Sequence, residues 1–87
     1  MKSAKTTIQS PVGMHARPAG ELVKLVKSFA DSKISIANSV KTVNAASILS
    51  ILSLGLKQGS EIEVKVEGGN EDAVLGEVIS FIENIKD

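Results

Sequence analysis

The chain lacks cysteine, tryptophan and tyrosine, and its 87 residues include only two prolines and two phenylalanines. Without cysteine, neither a disulfide framework nor a thiolate metal site can form, and this composition suits a cytoplasmic protein. Ten basic and ten acidic residues cancel, and there is no aromatic platform for bases, so we expect no nucleic-acid partner. No apolar run approaches the roughly 18 residues that span a bilayer, so we expect no membrane partner.

The length and composition predict one small domain over residues 1–87. A chain of 87 residues is long enough for one hydrophobic core and too short for two. The apolar fraction is 43% and is mostly aliphatic. We therefore expect a compact monomer whose core is built from valine, leucine and isoleucine.

The most regular pattern in the chain is the alternation in residues 61–67. It places Ile62, Val64 and Val66 on one face and four charged residues on the other, which predicts a strand with one face in water. Gly68 and Gly69 then end the strand. Further strands are predicted at residues 33–37, at about 40–43 and at 6–9.

Three segments have helical periodicity. The first is predicted to begin between residues 16 and 18 and to run to about residue 30. The second covers about residues 47–54 and ends at Gly55, and the third follows Asn70 as its N-cap. The resulting order is β-α-β-β-α-β-α. It predicts an α+β open-faced β-sandwich, a four-stranded antiparallel sheet with three helices on one face. The same order suits ferredoxin-like domains, so the fold alone does not define a function.

The only histidine and the only arginine lie two residues apart, in Gly13-Met14-His15-Ala16-Arg17-Pro18. Histidine can act as a nucleophile near neutral pH, and the planar arginine fork suits phosphate. At a helix start, the amides of Ala16 and Arg17 favour an anion, whereas Pro18 has no N–H to add. A lone histidine is nevertheless more often structural, and Arg17 equally suits a surface ion pair. The residues alone leave these interpretations open.

The segment of residues 13–19 closely resembles the active-site motif of the HPr family. These are the histidine-containing phosphocarriers of the bacterial phosphoenolpyruvate–sugar phosphotransferase system. Residues 41–55 resemble the regulatory-serine segment of the same family, and the similarity covers essentially the whole chain. The resemblance implies that His15 takes phosphate on Nδ1 from enzyme I and passes it to sugar-specific IIA proteins. It also implies that Arg17 pairs with the phosphoryl group. The chain would then be a phosphoryl carrier rather than a stand-alone enzyme.

The resemblance implies a second phosphorylation site at Ser47. In the family, an ATP-dependent HPr kinase modifies the corresponding serine, and the product binds a catabolite-repression transcription factor. Serine also suits a helix N-cap, and the two roles are compatible. Ala46 and Ser50 depart from the usual motif around this serine, as Pro11 and Val12 do before the histidine motif.

The middle helix is apolar on more than one face, which predicts that Leu49 and Leu52 form an exposed docking patch. Packing against a neighbouring loop would hide them instead. The sequence has no nucleotide-binding loop and no metal cluster, so we expect no cofactor and no metal. Two other functions stay open. One is a regulatory adaptor controlled through His15 and Ser47 without sugar transport, and the other is a small ligand-binding domain.

Overall fold

The secondary structure follows the predicted order in the computed structural model, which describes residues 1–11 and 13–85. The strands are β1 (Lys2–Thr7), β2 (Lys33–Ala37), β3 (Thr42–Asn44) and β4 (Glu61–Glu67). The helices are α1 (Ala16–Lys27), α2 (Ile48–Leu52) and α3 (Glu71–Glu83). None of the helices in these residues is long and apolar enough to cross a bilayer.

The four strands form one antiparallel sheet in the order β1-β4-β2-β3. Ala4 and Ile36 both lie opposite Val64, so these three side chains share the face that the helices cover. On the other face Lys5 lies opposite Glu63, a cross-strand pair of opposite charge. The buried apolar residues of the covered face are Ile34, Ile36, Ile62, Val64 and Val66. The predicted open-faced sandwich is confirmed.

Two strands occupy different residues from those predicted. The first was predicted at 6–9, but β1 ends at Thr7, and Ile8 instead donates its N–H to the Ser60 carbonyl across a loop. The apolar Ile8 led us to predict the strand too far along the chain. The earlier residues of this edge strand are mostly polar, so they gave a weaker strand signal.

The third strand was predicted at 40–43, but β3 begins at Thr42. The Asn38 side-chain oxygen accepts the N–H groups of Val40 and Lys41, at 2.8 Å each. These two bonds hold the chain in a turn, so Val40 cannot join the ladder. Val40 is 84% exposed as a result.

The first two helices end earlier than predicted. At the end of α1, Ser28 and Phe29 donate to the carbonyls of Leu25 and Val26, three residues back. This tighter bonding closes the helix at Lys27 rather than near residue 30. Likewise α2 is confined to residues 48–52, and Gly55 follows with a φ of +63°.

The third helix begins after Asn70, as predicted, but the Asn70 side chain makes no capping bond. Glu71, the first residue of the helix, instead binds the preceding turn, where its Oε2 accepts the Gly68 N–H at 2.7 Å. This bond, and the N-terminal ammonium 3.2 Å from Glu71 Oε1, lower the pKa of the Glu71 carboxyl below its ordinary value. The core of α3 centres on Val74, Val78 and Ile82. The helical periodicity of the sequence predicts a different buried face, which includes Val78 and Ile82 and omits Val74: Leu75, Val78, Ile79, Phe81, Ile82 and Ile85.

Candidate functional site

The loop that carries His15 is held by backbone hydrogen bonds on both sides of Gly13. Gly13 donates its N–H to the Ser10 carbonyl at 3.0 Å, and Met14 donates to the Leu56 carbonyl at 3.1 Å. The Met14 side chain is only 5% exposed and belongs to the core. His15 therefore follows a residue that is anchored by its backbone and by its side chain.

Gly13 allows the segment after α2 to lie directly against this loop. Its φ is +75°, a region that side chains disfavour. A Cβ built on Gly13 would lie 2.5 Å from the Leu56 carbonyl oxygen and 2.6 Å from Lys57 Cα. No side chain fits between these backbone atoms. The close approach thus brings α2 and the His15 loop onto one side of the molecule.

His15 is the N-cap residue of α1, with an extended backbone at φ −102° and ψ −172°. Its carbonyl accepts the Ala19 N–H at 3.0 Å, but its side chain makes no capping hydrogen bond. The residue is half-buried, and its Nε2 atom is buried without a hydrogen-bond partner among the described residues. The ring is therefore positioned at the helix start without being used to close it.

The first turn of α1 supplies the other predicted site residues. Ala16 and Arg17 are exposed, whereas Pro18 is fully buried beneath them. Helical hydrogen bonding begins with the Ala19 N–H, so the amides of Ala16 and Arg17 lie at the positive end of the helix. Histidine, two amides and a guanidinium-bearing residue are thus brought together as predicted. Pro11 lies exposed in the preceding turn, and Val12 lies outside the described residues.

Ser47 is the N-cap of α2, and its side-chain oxygen accepts the Ser50 N–H at 3.3 Å. The prediction of a capping serine is confirmed. Ser47 is half-buried, so its hydroxyl is engaged locally but is not sealed in the core.

The two residues of the predicted docking patch differ in their exposure to solvent. Leu49 is 80% exposed, whereas Leu52 is half-buried and packs against the core. Sequence reasoning missed Ile48, which is 40% exposed. The Ile48 Cδ1 atom lies 3.9 Å from where a Cβ of Gly20 would be. A glycine inside α1 was the available signal that another element approaches there.

Known proteins share both the motif and the fold. Residues 2–84 match the family model PTS-HPr, described as the PTS HPr component phosphorylation site. The phosphocarrier protein HPr of Lysinibacillus sphaericus is 44% identical over 72 residues, which cover 83% of this chain and 81% of that protein. The match to the family model shows that this chain belongs to the HPr family of phosphocarrier proteins.

Solved structures of the family agree with this fold. HPr-C-His from Thermoanaerobacter tengcongensis superposes with a TM-score of 0.88 at 36% identity, covering 95% of this chain and 92% of its own. The catabolite-repression protein Crh of Bacillus subtilis superposes with a TM-score of 0.77 at 26% identity, covering 100% of this chain and 99% of its own. The fold is therefore the HPr open-faced sandwich rather than a ferredoxin-like arrangement.

Proposed function

We propose that this chain accepts a phosphoryl group from enzyme I on Nδ1 of His15 and donates it to sugar-specific IIA proteins for sugar uptake. The observation that carries the proposal is the state of the His15 ring. It lies at a helix start without capping the helix, and its Nε2 atom is buried. Nδ1 is then the nitrogen left for a partner protein to reach.

The bonds made and broken in the transfer step balance between the two histidines and the phosphoryl group. The Nδ1 lone pair attacks the phosphorus of the enzyme I phosphohistidine, and a new N–P bond forms as the old one breaks. The electron pair of the broken bond returns to the donor nitrogen. Because a phosphoramidate is replaced by a phosphoramidate, the step is nearly balanced and runs onward to a IIA protein in the same way.

The first turn of α1 stabilises the phosphoryl oxygens. The amides of Ala16 and Arg17 and the helix dipole favour negative charge at this end. The Arg17 guanidinium adds a planar fork of donors that matches two phosphoryl oxygens. The chain thus supplies a nucleophile and an anion cradle, while partner proteins supply substrate and catalytic groups. We place this carrier in the cytoplasm as a monomer.

Incubation with enzyme I and phosphoenolpyruvate, followed by intact-mass measurement, tests the proposal. We expect one phosphoryl group per chain, labile in acid and stable in base, and its onward transfer to a IIA protein. The adduct should be absent from His15→Ala and present in Ser47→Ala, the matched control. An acid-stable adduct, or one that survives His15→Ala, would refute the assignment of His15.

The role of Arg17 is tested by Arg17→Lys, which keeps the charge and loses the planar fork. We expect His15 to be phosphorylated in this variant but to transfer the group more slowly, by about tenfold or more. Rapid-quench measurement of transfer to a IIA protein gives the rate. Equal rates for the two proteins would show that Arg17 does not orient the phosphoryl group.

A regulatory role at Ser47 is our second candidate. It rests on the likeness to Crh over the whole chain and on Ser47 lying beside the exposed Leu49. In this function an HPr kinase phosphorylates Ser47, and the product binds a catabolite-repression transcription factor. Incubation with HPr kinase and ATP should give an adduct that is stable in acid and absent from Ser47→Ala. Regulation without transport predicts no transfer from His15 to any IIA protein.

A further inference from the structure

A surface groove runs between α1 and α3. It has a volume of about 740 Å³ and is open to solvent along its length. Its lining extends from Asp72 in the first turn of α3 to Ile85 just past the helix end. At 1.5 Å per residue, the groove is about 20 Å long. No residue of α2 or of the loop that precedes α1 lines it.

The floor of the groove is apolar. Leu25 of α1 and Phe81 of α3 are half-buried, and Ile85 is 8% exposed. Gly76 lies in the middle of α3, and a Cβ built on it would have no atom within 4 Å. Gly76 has no side chain, so it leaves the groove open at a position where the side chain of another residue type would project into it. A glycine inside a helix costs about 1 kcal/mol relative to alanine, so the opening is maintained against helix stability.

The rim of the groove is acidic. Glu21 of α1 and Asp72 and Glu77 of α3 line it, and no basic residue of the described chain does so. Asp72 is partly offset by Lys2, whose Nζ is 3.5 Å away. Glu21 and Glu77 form no ion pair within residues 1–11 and 13–85. Acidic side chains therefore lie on both walls, about midway along the groove, and Glu21 also borders a neighbouring surface that carries Arg17, Lys24 and Lys27.

We propose that this groove binds a basic amphipathic helix of a partner protein. The apolar face of such a helix would lie on Leu25, Phe81 and Ile85, and its lysines or arginines would meet Glu21 and Glu77. The length of the groove matches a helix of about 14 residues. A compact metabolite would be too short to fill a groove of this length. Neither His15, Arg17 nor any residue of α2 lines the groove, so a helix bound there would leave the phosphotransfer site uncovered.

The test uses the ¹⁵N-labelled protein and a synthetic helical peptide of about 14 residues, made of leucine and lysine at helical spacing. We expect amide shifts along α1 and α3 and weaker binding as salt is raised. Gly76→Leu should fill the groove, and Glu21→Lys with Glu77→Lys should reverse its charge. Each change should weaken binding at least about tenfold.

Two measurements keep these variants interpretable. Glu61→Lys, at an exposed position of β4, is the charge-reversal control and should bind the peptide like the unmodified chain. All three variants should keep the dispersed amide spectrum of the unmodified chain, which shows that they are folded. Shifts confined to other surfaces, or binding that Gly76→Leu leaves unchanged, would overturn the proposal. Concentration-dependent shifts at the groove without peptide would do the same, because they would identify a second copy of the chain as the occupant.

Discussion

Gly13 meets two constraints that no side chain satisfies together. Its φ is +75°, and a Cβ would lie 2.5 Å from the Leu56 carbonyl oxygen. We expect Gly13→Ala to lower the free energy of unfolding by about 2 kcal/mol or more, because backbone must move. Gly55→Ala is the control. Its φ is +63° but its Cβ would meet nothing within 4 Å, so about 1 kcal/mol should be lost. Equal losses in urea unfolding would contradict the close approach of the two loops.

For individual residues, the sequence was sufficient to predict the chemistry of the site but not its surroundings. His15 and Arg17 were recognisable from their types, their spacing and the helix that follows. The burial of His15 Nε2 and the bond from Met14 to the Leu56 carbonyl could not be recognised from the sequence. These features join residues far apart in the chain, and no local pattern records them. Val40 was missed for a local reason, because the side chain of an asparagine two residues away accepts its N–H and holds it out of β3.

Among the helices, α1 has room for a side chain at Gly20. A Cβ there would lie 3.9 Å from Ile48 Cδ1, an ordinary van der Waals contact. We therefore expect Gly20→Ala to raise the free energy of unfolding by up to about 1 kcal/mol through helix propensity. Gly76→Ala in α3, where a Cβ meets nothing, should give a similar gain. Thermal unfolding measures both. A loss of stability in Gly20→Ala alone would mean that α1 and α2 pack more closely than this geometry allows.

The start of α3 makes the stability of the fold depend on pH. Folding lowers the Glu71 pKa below its ordinary value, chiefly through the Gly68 N–H bond. A lowered pKa stabilises the folded state above the unfolded value, and that contribution is lost as the pH falls through the folded value. We expect Glu71→Gln to be less stable than the unmodified chain at neutral pH. The difference should shrink below about pH 4.5. Urea unfolding at several pH values checks this, and a difference that persists at low pH would exclude the carboxylate as its cause.

Element types were predictable here and element ends were less so. The alternation in β4 and the helical stripes of α1 and α3 reflect burial on one face, which the sequence shows directly. Ends depend on individual hydrogen bonds, such as the tighter bonds that close α1 at Lys27 and the bonds to the Asn38 side chain that delay the start of β3. Several residue types can make such bonds, so composition alone does not choose among them.

For the molecule as a whole, α1 separates two surfaces of different chemistry. On one flank, its N-terminal turn and α2 present His15 together with exposed Leu49 and Ile48. On the other flank, α1 and α3 enclose the acidic groove. The first surface could be anticipated from the apolar middle helix. The prediction that Leu52 is exposed together with Leu49 was wrong. The groove could not be anticipated, because it depends on how two distant helices pack.

The first of these surfaces predicts the outcome of Ser47→Asp. Aspartate remains a good N-cap, so stability should change little. Its added charge lies next to Leu49, on the side of the molecule that carries His15. Enzyme I should then meet repulsion rather than a damaged nucleophile, so its KM for this chain should rise with the maximal rate less affected.

Ser47→Ala separates this electrostatic effect from loss of the cap. It removes the oxygen that accepts the Ser50 N–H, so about 1 kcal/mol of stability should be lost. Because no charge is added, phosphorylation by enzyme I should proceed normally once the variant is folded. Steady-state kinetics on the three proteins distinguishes the possibilities. If Ser47→Asp is as good a substrate as the unmodified chain, Ser47 acts only as a helix cap. A negative charge at Ser47 would then not affect the docking of enzyme I, and the regulatory role of Ser47 should be abandoned.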